Sequence, residues 1–265
     1  MAHLCILNLN IWNYNAPWIE RRERIIQLIQ ETEPDLVALQ EIRYHDWLPY
    51  PSHQADQILA GLSGYNSIWH PAHYWAPGQG DNQGQTCWEG LAIFSRRPIV
   101  DQAHVRLSRN PNDPRDAHQR LVLGAQIRTA DGRPFWLFDT HYPLSTNARA
   151  RVVVETHEFV CQTAGAVPFV LTGDFNARPD DLPIRFLSGQ AELDGQRGSL
   201  FDAWCTTHPA EPGYTFPAWG PTHRIDYLWA PSTVQSESIS VVGSVPNRET
   251  ISPSDHCGLL ATINF

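Results

Sequence analysis

The segment Thr172-Gly173-Asp174-Phe175-Asn176 sets a carboxylate and an amide two residues apart. Side chains alternate in direction along extended backbone, so Asp174 and Asn176 point the same way and Phe175 points back into the protein. Taken alone, Gly-Asp-x-Asn is equally a turn, because Gly, Asp and Asn are the commonest turn formers. Other polar residues stand at the ends of apolar runs in the same way: Asn10 after residues 4–9, Glu41 after 36–40 and His141 after 134–140. Glu41 by itself is equally the start of a solvated loop. Asp226 lies inside the apolar alternation of residues 223–229 and, if buried, needs a partner; His256, preceded by Asp255 at the start of the last apolar run, is the candidate. Carboxylates and amides without a cysteine ligand favour a hard, oxygen-liking ion such as Mg²⁺ or Mn²⁺. Two histidines beside them suit acid–base work, whereas the His-Glu-x-x-His spacing of a zinc site is missing.

Apolar periodicity supplies the elements that carry these residues. Strands are expected at 4–9, 35–40, 65–69, 89–95, 99–107, 120–129, 134–140, 167–171, 223–229, 239–245 and 257–263, with 89–95 and 99–107 joined as a hairpin through Arg96-Arg97-Pro98. Ala130-Asp131-Gly132-Arg133 is a second hairpin signal. Helices are expected at 17–31, stopped by Pro34, and at 51–62, 146–161 and 178–187, with another at 199–204. Arg149 and Arg151, in the first turns of one helix, read as ordinary surface charge. The Gly/Pro-rich stretch 71–87, which carries His73, Trp75 and Gln85, reads as a long loop at the rim of a site. Strands in hairpins with a few covering helices imply a mixed sandwich, in two similar sets divided near Arg97.

A chain of 265 residues with 42% hydrophobic and 18% charged residues is globular, and one domain over 1–265 is the simplest partition. No run approaches a membrane span and residues 1–8 lack a basic region followed by a long apolar one, so a soluble, cytoplasmic protein is expected, with no transmembrane segment. The five cysteines are single and scattered, which suggests neither disulfides nor zinc but small core residues. A formal net charge of −9, from 28 acidic and 19 basic residues, disfavours broad attraction to polyphosphate. It is compatible with a local carboxylate cluster that holds a divalent cation.

Six segments together, Asn8-Leu9-Asn10-Ile11, Leu39-Gln40-Glu41, Thr140-His141, Thr172-Gly173-Asp174-Phe175-Asn176, Arg224-Ile225-Asp226-Tyr227 and Ser254-Asp255-His256, resemble in order the motifs of the endonuclease/exonuclease/phosphatase superfamily. The resemblance implies an α/β fold, a four-layered αββα sandwich of two mixed, mostly antiparallel sheets with helices outside, and Mg²⁺- or Mn²⁺-dependent hydrolysis of a phosphate ester. It further implies that Glu41 binds the metal with Asn10 near it and Asp255 reaching its shell, and that Asp174, helped by Asn176, prepares the attacking water. His256, oriented by Asp226, would bind the phosphate or carry a proton, and His141 would contact the phosphate from the other side. Glu89 matches a position that orients this first histidine in nuclease members, and it is grouped with the substrate-contacting residues. Trp12 departs from the pattern, since some repair nucleases carry a metal-binding Asp there.

The substrate is expected to be a phosphodiester, nuclease-like or small, with a phospholipid, sphingomyelin or inositol phosphate as the alternative. A non-catalytic binding protein on the same fold is the reading of another class, and no obligate protein partner is implied. Trp75, Trp88 and Trp219 are candidates to stack unpaired bases or to wall an apolar ester group, and equally candidates for packing.

Overall fold

A computed structural model describes residues 3–45, 53–76 and 86–265. In chain order the elements are β1 (His3–Asn10), α1 (Trp18–Thr32), β2 (Leu36–His45), α2 (Gln54–Leu59), β3 (Asn66–Trp75), β4 (Cys87–Ser95), β5 (Ile99–Arg106), β6 (Leu121–Arg128), β7 (Pro134–His141), α3 (Thr146–Ala164), β8 (Phe169–Asp174), α4 (Leu182–Leu187), β9 (Phe201–Asp202), α5 (Ala203–Thr207), β10 (Asp226–Ala230), β11 (Gln235–Val242) and β12 (Gly258–Asn264). Two six-stranded sheets result, ordered β11-β12-β1-β2-β4-β3 and β5-β6-β7-β8-β10-β9. Among the described residues only β1–β2 and β7–β8 pair in parallel.

Three apolar clusters define the layers. One lies between the sheets, with Leu4, Ile6, Leu36, Leu91 and Ile93 facing Leu123, Phe135, Leu137 and Val170. A second joins the outer face of the first sheet to α1 and α2 through Leu7, Leu9, Val37, Ile25, Ile29 and Ile58. The third joins the other sheet to α3 and α4 through Phe138, Leu171, Val152, Val160, Ile184 and Phe186. The expected αββα sandwich is present. Strands buried on both faces explain why 36–39 and 169–171 read as unbroken apolar runs. α1 ends at Glu33, whose left-handed backbone lets its N–H bond the Ile29 carbonyl at 3.0 Å just before Pro34.

Several expectations change. Residues 89–95 and 99–107 do not form a hairpin: β4 is already paired on both edges, by β2 and β3, so the chain crosses to the other sheet, where β5 pairs β6. Residues 71–75 continue β3 and are not loop; 77–85, with Gln85, lie outside the described residues. Residues 199–204 contribute the short β9 and only the start of α5. Arg149 and Arg151 are not free surface charges. Arg149 is buried and bonds the Leu144 carbonyl, and Arg151 pairs at 2.7 Å with the buried Asp116. Cys87 and Cys257 are core residues as expected, but Cys205 is exposed.

Between the sheets one polar chain interrupts the apolar core. Gln40 Nε2 donates to Asn8 Oδ1 at 2.9 Å and to Asp139 Oδ1 at 2.6 Å, while Asp139 Oδ2 finds no partner among the described residues. Burial holds the fully enclosed Asp139 carboxyl well above its ordinary range, against the opposing hydrogen bonds of Gln40 and the Thr140 backbone. The folded state therefore keeps a proton that the unfolded chain releases above about pH 4, and stability falls as pH rises from there toward the folded pKa. Asp139→Asn keeps the acceptor for Gln40 and removes the ionisation. Urea midpoints are expected to show the variant more stable than the parent at pH 7, with the gap closing toward pH 4; parallel profiles would contradict a neutral Asp139.

Candidate active site

Strand register assembles half of the site. His141, Asp174 and Asp226 occupy paired positions on the neighbouring strands β7, β8 and β10, so the imidazole and two carboxylates lie in one row. Gly173 makes the row possible. Its φ is +144°, and a Cβ there would sit 2.0 Å from the Thr140 carbonyl oxygen. Beyond the strand Phe175 turns into the helix-side core, and Asn176, at φ 48°, returns to donate to the Tyr142 carbonyl at 3.0 Å.

The other sheet supplies Asn10 and Glu41. Glu41 does not end its strand: β2 continues to His45, and Glu41 sits at an irregularity between Leu39 and Ile42 with φ 60°. Asn10 Nδ2 bridges the sheets, 3.1 Å from both Glu41 Oε1 and Asp174 Oδ2. Asn13 Nδ2 holds the second Glu41 oxygen at 2.7 Å. Burial, then repulsion from Glu89, raises the Glu41 carboxyl above its usual range; the two amides oppose this and Asp255 adds to it.

Asp226 is the first residue of β10 rather than the middle of a strand, and it is completely buried. Its Oδ2 accepts from Thr215 Oγ1 at 2.6 Å and lies 3.0 Å from His256 Nδ1. Burial alone would push the His256 imidazole down, but Asp226, Asp174 and Asp255 outweigh it and raise the pKa to about 10. His256 is therefore an imidazolium with Nε2 3.8 Å from Asp174 Oδ2. Burial lifts Asp174 to about 7, against the attraction of His256 and the bonds from the Asn176 backbone and Asn10. Asp174, Asp226 and His256 are close enough to suggest a metal cluster. Because Asp226 already accepts from His256 and Thr215, we read that trio as an acid–base group. Glu41 and Asp255, both lifted mainly by burial, are the carboxylates that could then hold a cation.

Sequence reasoning missed three supporting residues. Arg21 is 1% exposed and spends its guanidinium on the backbone carbonyls of Ile11, Trp12, Asn13, Asn15 and Pro253, which ties the loop after β1 to the segment before Asp255. Its signal was an arginine on the apolar stripe Arg21, Ile25, Leu28, Ile29 of α1. Asn13 belongs to an asparagine-rich run whose spacing does not single it out. Arg120 carried no signal at all.

Arg120 also corrects the place of Glu89. That carboxylate is buried and paired with Arg43 at 3.0 Å and with Arg120 at 3.5 Å, so it is committed to two cations rather than presented to a ligand. It is Arg120 that reaches His141, at 3.0 Å from Nδ1. A guanidinium only donates, so Nδ1 accepts and the ring proton sits on Nε2, 3.4 Å from Asp174 Oδ2. Burial, then Arg120, keeps His141 neutral by pushing its pKa well below the usual value. The Asn176 amide nitrogen, 3.1 Å from Nε2, is then a neighbour and not a partner. Both Nε2 atoms converge on Asp174. Trp75 is nearly buried under the Arg43 guanidinium and serves packing, whereas Trp88 is half-buried against the exposed Tyr74. Trp219 lines a cavity with Asp255. A larger cavity of about 860 Å³, near Asp202 and Arg224, contains none of the expected site residues.

Residues 7–256 match the sequence model of the Endonuclease/Exonuclease/phosphatase family. The chain is 25% identical over 94% of its length to Nocturnin of Xenopus laevis and 27% identical over 78% to a putative neutral sphingomyelinase of Caenorhabditis elegans. It spans 65% and 47% of those two proteins, respectively. The fold superposes on the human Nocturnin catalytic domain with bound sulfate anion at a TM-score of 0.76 and 22% identity, covering 100% of this chain and 94% of that one. Among the described residues no helix is long and apolar enough to cross a membrane.

If Arg120 selects the tautomer, Arg120→Gln is expected to redistribute the His141 proton between Nδ1 and Nε2, read by ¹⁵N chemical shifts of the imidazole. A fall in phosphate-ester turnover of about 10–100-fold should accompany it. An unchanged tautomer would refute the assignment even if activity fell.

Proposed function

The chain belongs to the endonuclease/exonuclease/phosphatase family, and from that membership and the site geometry we propose that it is a Mg²⁺- or Mn²⁺-dependent hydrolase of a phosphodiester. The carrying observation is the convergence of a neutral donor, His141, and an imidazolium, His256, on Asp174, whose pKa of about 7 suits a general base.

The donor set fits a hard cation. Glu41 and Asp255 are carboxylates raised by desolvation and, at Glu41, by other carboxylates, and Asn10 braces Glu41 through Nδ2 while its Oδ1 accepts from the Trp12 N–H at 3.0 Å. Glu41 and Asp255 would hold the ion, with Asn10 beside them orienting Glu41, and the ion when bound would supply positive charge to a phosphoryl oxygen. Asp174, fixed by the Asn176 N–H at 2.8 Å and by Asn10, takes the proton of the attacking water. His141 donates from Nε2 to a phosphoryl oxygen, and His256 places its charge against the developing negative charge or protonates the leaving oxygen. Asp226 holds His256 in place and is positioned by Thr215.

A second reading, hydrolysis of a lipid phosphodiester, draws support from the similarity to the putative neutral sphingomyelinase. The non-catalytic reading is opposed by Glu41, Asp174, Asp226 and His256 all standing in mutually bonded or facing positions.

Bis(p-nitrophenyl) phosphate should be hydrolysed with Mg²⁺ or Mn²⁺ and not in EDTA. Asp174→Asn and His256→Gln should each lower kcat by about 10²–10⁴-fold. Glutamine is chosen over alanine because removing the partner of buried Asp226 costs about 3–5 kcal/mol, enough to confuse unfolding with lost catalysis. Equal turnover in EDTA, or full activity in both folded variants, would sink the proposal.

A further inference from the structure

Beside Asp255 lies a cavity of about 480 Å³ whose walls include Trp12, Pro17, Trp219, Arg248 and Ile251. The Trp12 and Trp219 rings stand 6.3 Å apart at 56°, so they form a wedge rather than a parallel slot. Each ring already carries a cation: the Arg21 guanidinium lies 5.0 Å from the Trp12 centroid and that of Arg248 lies 4.9 Å from Trp219. Arg21 is spent on backbone carbonyls, as described above. Arg248 is exposed and, among the described residues, has the Trp219 face as its partner and neither a hydrogen bond nor an ion pair.

An indole wedge admits a quaternary ammonium, an acyl chain or a flat ring. The first is attracted to aromatic faces, but here both indoles are engaged by guanidinium groups that repel a third cation. An acyl chain would strip water from the Arg248 guanidinium and offer it no acceptor. A flat heteroaromatic ring stacks on indole and on guanidinium alike, and its edge nitrogens and oxygens are acceptors for arginine. Asp255 lines the cavity and His256, next in the chain, faces Asp174. A phosphate between the two histidines and a ring in the wedge thus fit one ligand.

We infer that the wedge of Trp12, Trp219 and Arg248 binds the nucleobase of a nucleotide-type phosphate ester, which directs the site to nucleotides and away from choline phospholipids. The inference rests on the phosphodiester-hydrolase reading of the same site. Binding is tested by calorimetry in an Asp174→Asn background, which suppresses turnover, with Mg²⁺ present and with adenosine monophosphate, inorganic phosphate, phosphocholine and a triadenylate as probes. Adenosine monophosphate is expected to bind at least about 10-fold more tightly than phosphate or phosphocholine. Arg248→Ala and, separately, Trp219→Ala should bring it to the level of phosphate while phosphate binding stays the same. Triadenylate binding more tightly than the monophosphate, with the same sensitivity, identifies a nucleic-acid end as the source of the base; the reverse order identifies a free nucleotide. Phosphocholine binding as tightly as the nucleotide, or nucleotide binding indifferent to both substitutions, overturns the inference. Failure of the parent protein to hydrolyse bis(p-nitrophenyl) phosphate overturns the hydrolase reading instead, because base binding is measured without turnover.

Discussion

The organisation of this protein depends on keeping several carboxylates close together at the seam of two sheets. Asp174 lies at the centre: one strand brings His141 beside it, the next brings Asp226, and Asn10 reaches across from the opposite sheet. Desolvation disfavours the charge on Asp174, Glu41 and Asp255 alike. Such a cluster persists only if donors surround it, and the structure provides them as asparagine amides, backbone N–H groups and one imidazolium. The same crowding is what would attract a divalent cation, so the raised carboxyl pKa values and the proposed chemistry have one origin.

Arginines, Arg21 buried and Arg43 and Arg120 partly so, surround that cluster. Arg21 fastens the loop after β1 to the segment before Asp255, so residues from the two ends of the chain keep their relative positions. Arg43 and Arg120 share Glu89, and Arg120 passes that order on to His141. None of these cations faces the cluster as a bare charge: Arg21 is spent on backbone carbonyls, Arg43 on Glu89, and Arg120 on Glu89 and a ring nitrogen. They position without occupying the space a phosphate would need. A carboxylate expected to orient His141 directly thus acts through an intermediary, which changes what that histidine can do, because an arginine dictates the tautomer outright whereas a carboxylate would accept the Nδ1 proton.

Much of the architecture was legible because strand and helix leave periodic traces. Unbroken apolar runs marked β2 and β8, Asp131-Gly132 marked the β6–β7 hairpin, and the stripe around Ile25 and Ile29 marked α1. The pairing of β4 was not legible. Residues 89–95 and 99–107 are adjacent strands with a turn between them, and nothing local says that both edges of the first are taken by β2 and β3. The wrong side of the ledger has the same cause elsewhere: Arg149 and Arg151 are polar in any local reading, and only the packing of α3 against the loop near Asp116 makes one buried and the other paired.

The site divides along the same line. Asn10, Glu41, His141, Asp174, Asn176, Asp226, Asp255 and His256 stood out in the sequence because most end apolar runs and together they match a family's motifs in order, and the roles expected of them came from that resemblance. Which of them touch, which carry charge and which neighbours govern them was decided by the tertiary structure. Asn13, Arg21 and Arg120 act through contacts to residues that are distant in the chain or through unremarkable backbone carbonyls, and neither leaves a pattern in composition or spacing. Burial, which sets the protonation of Asp174, His141 and His256 in different directions, is likewise a property of the assembled sheets, since it depends on how much water the whole fold excludes and not on the identity of the residue.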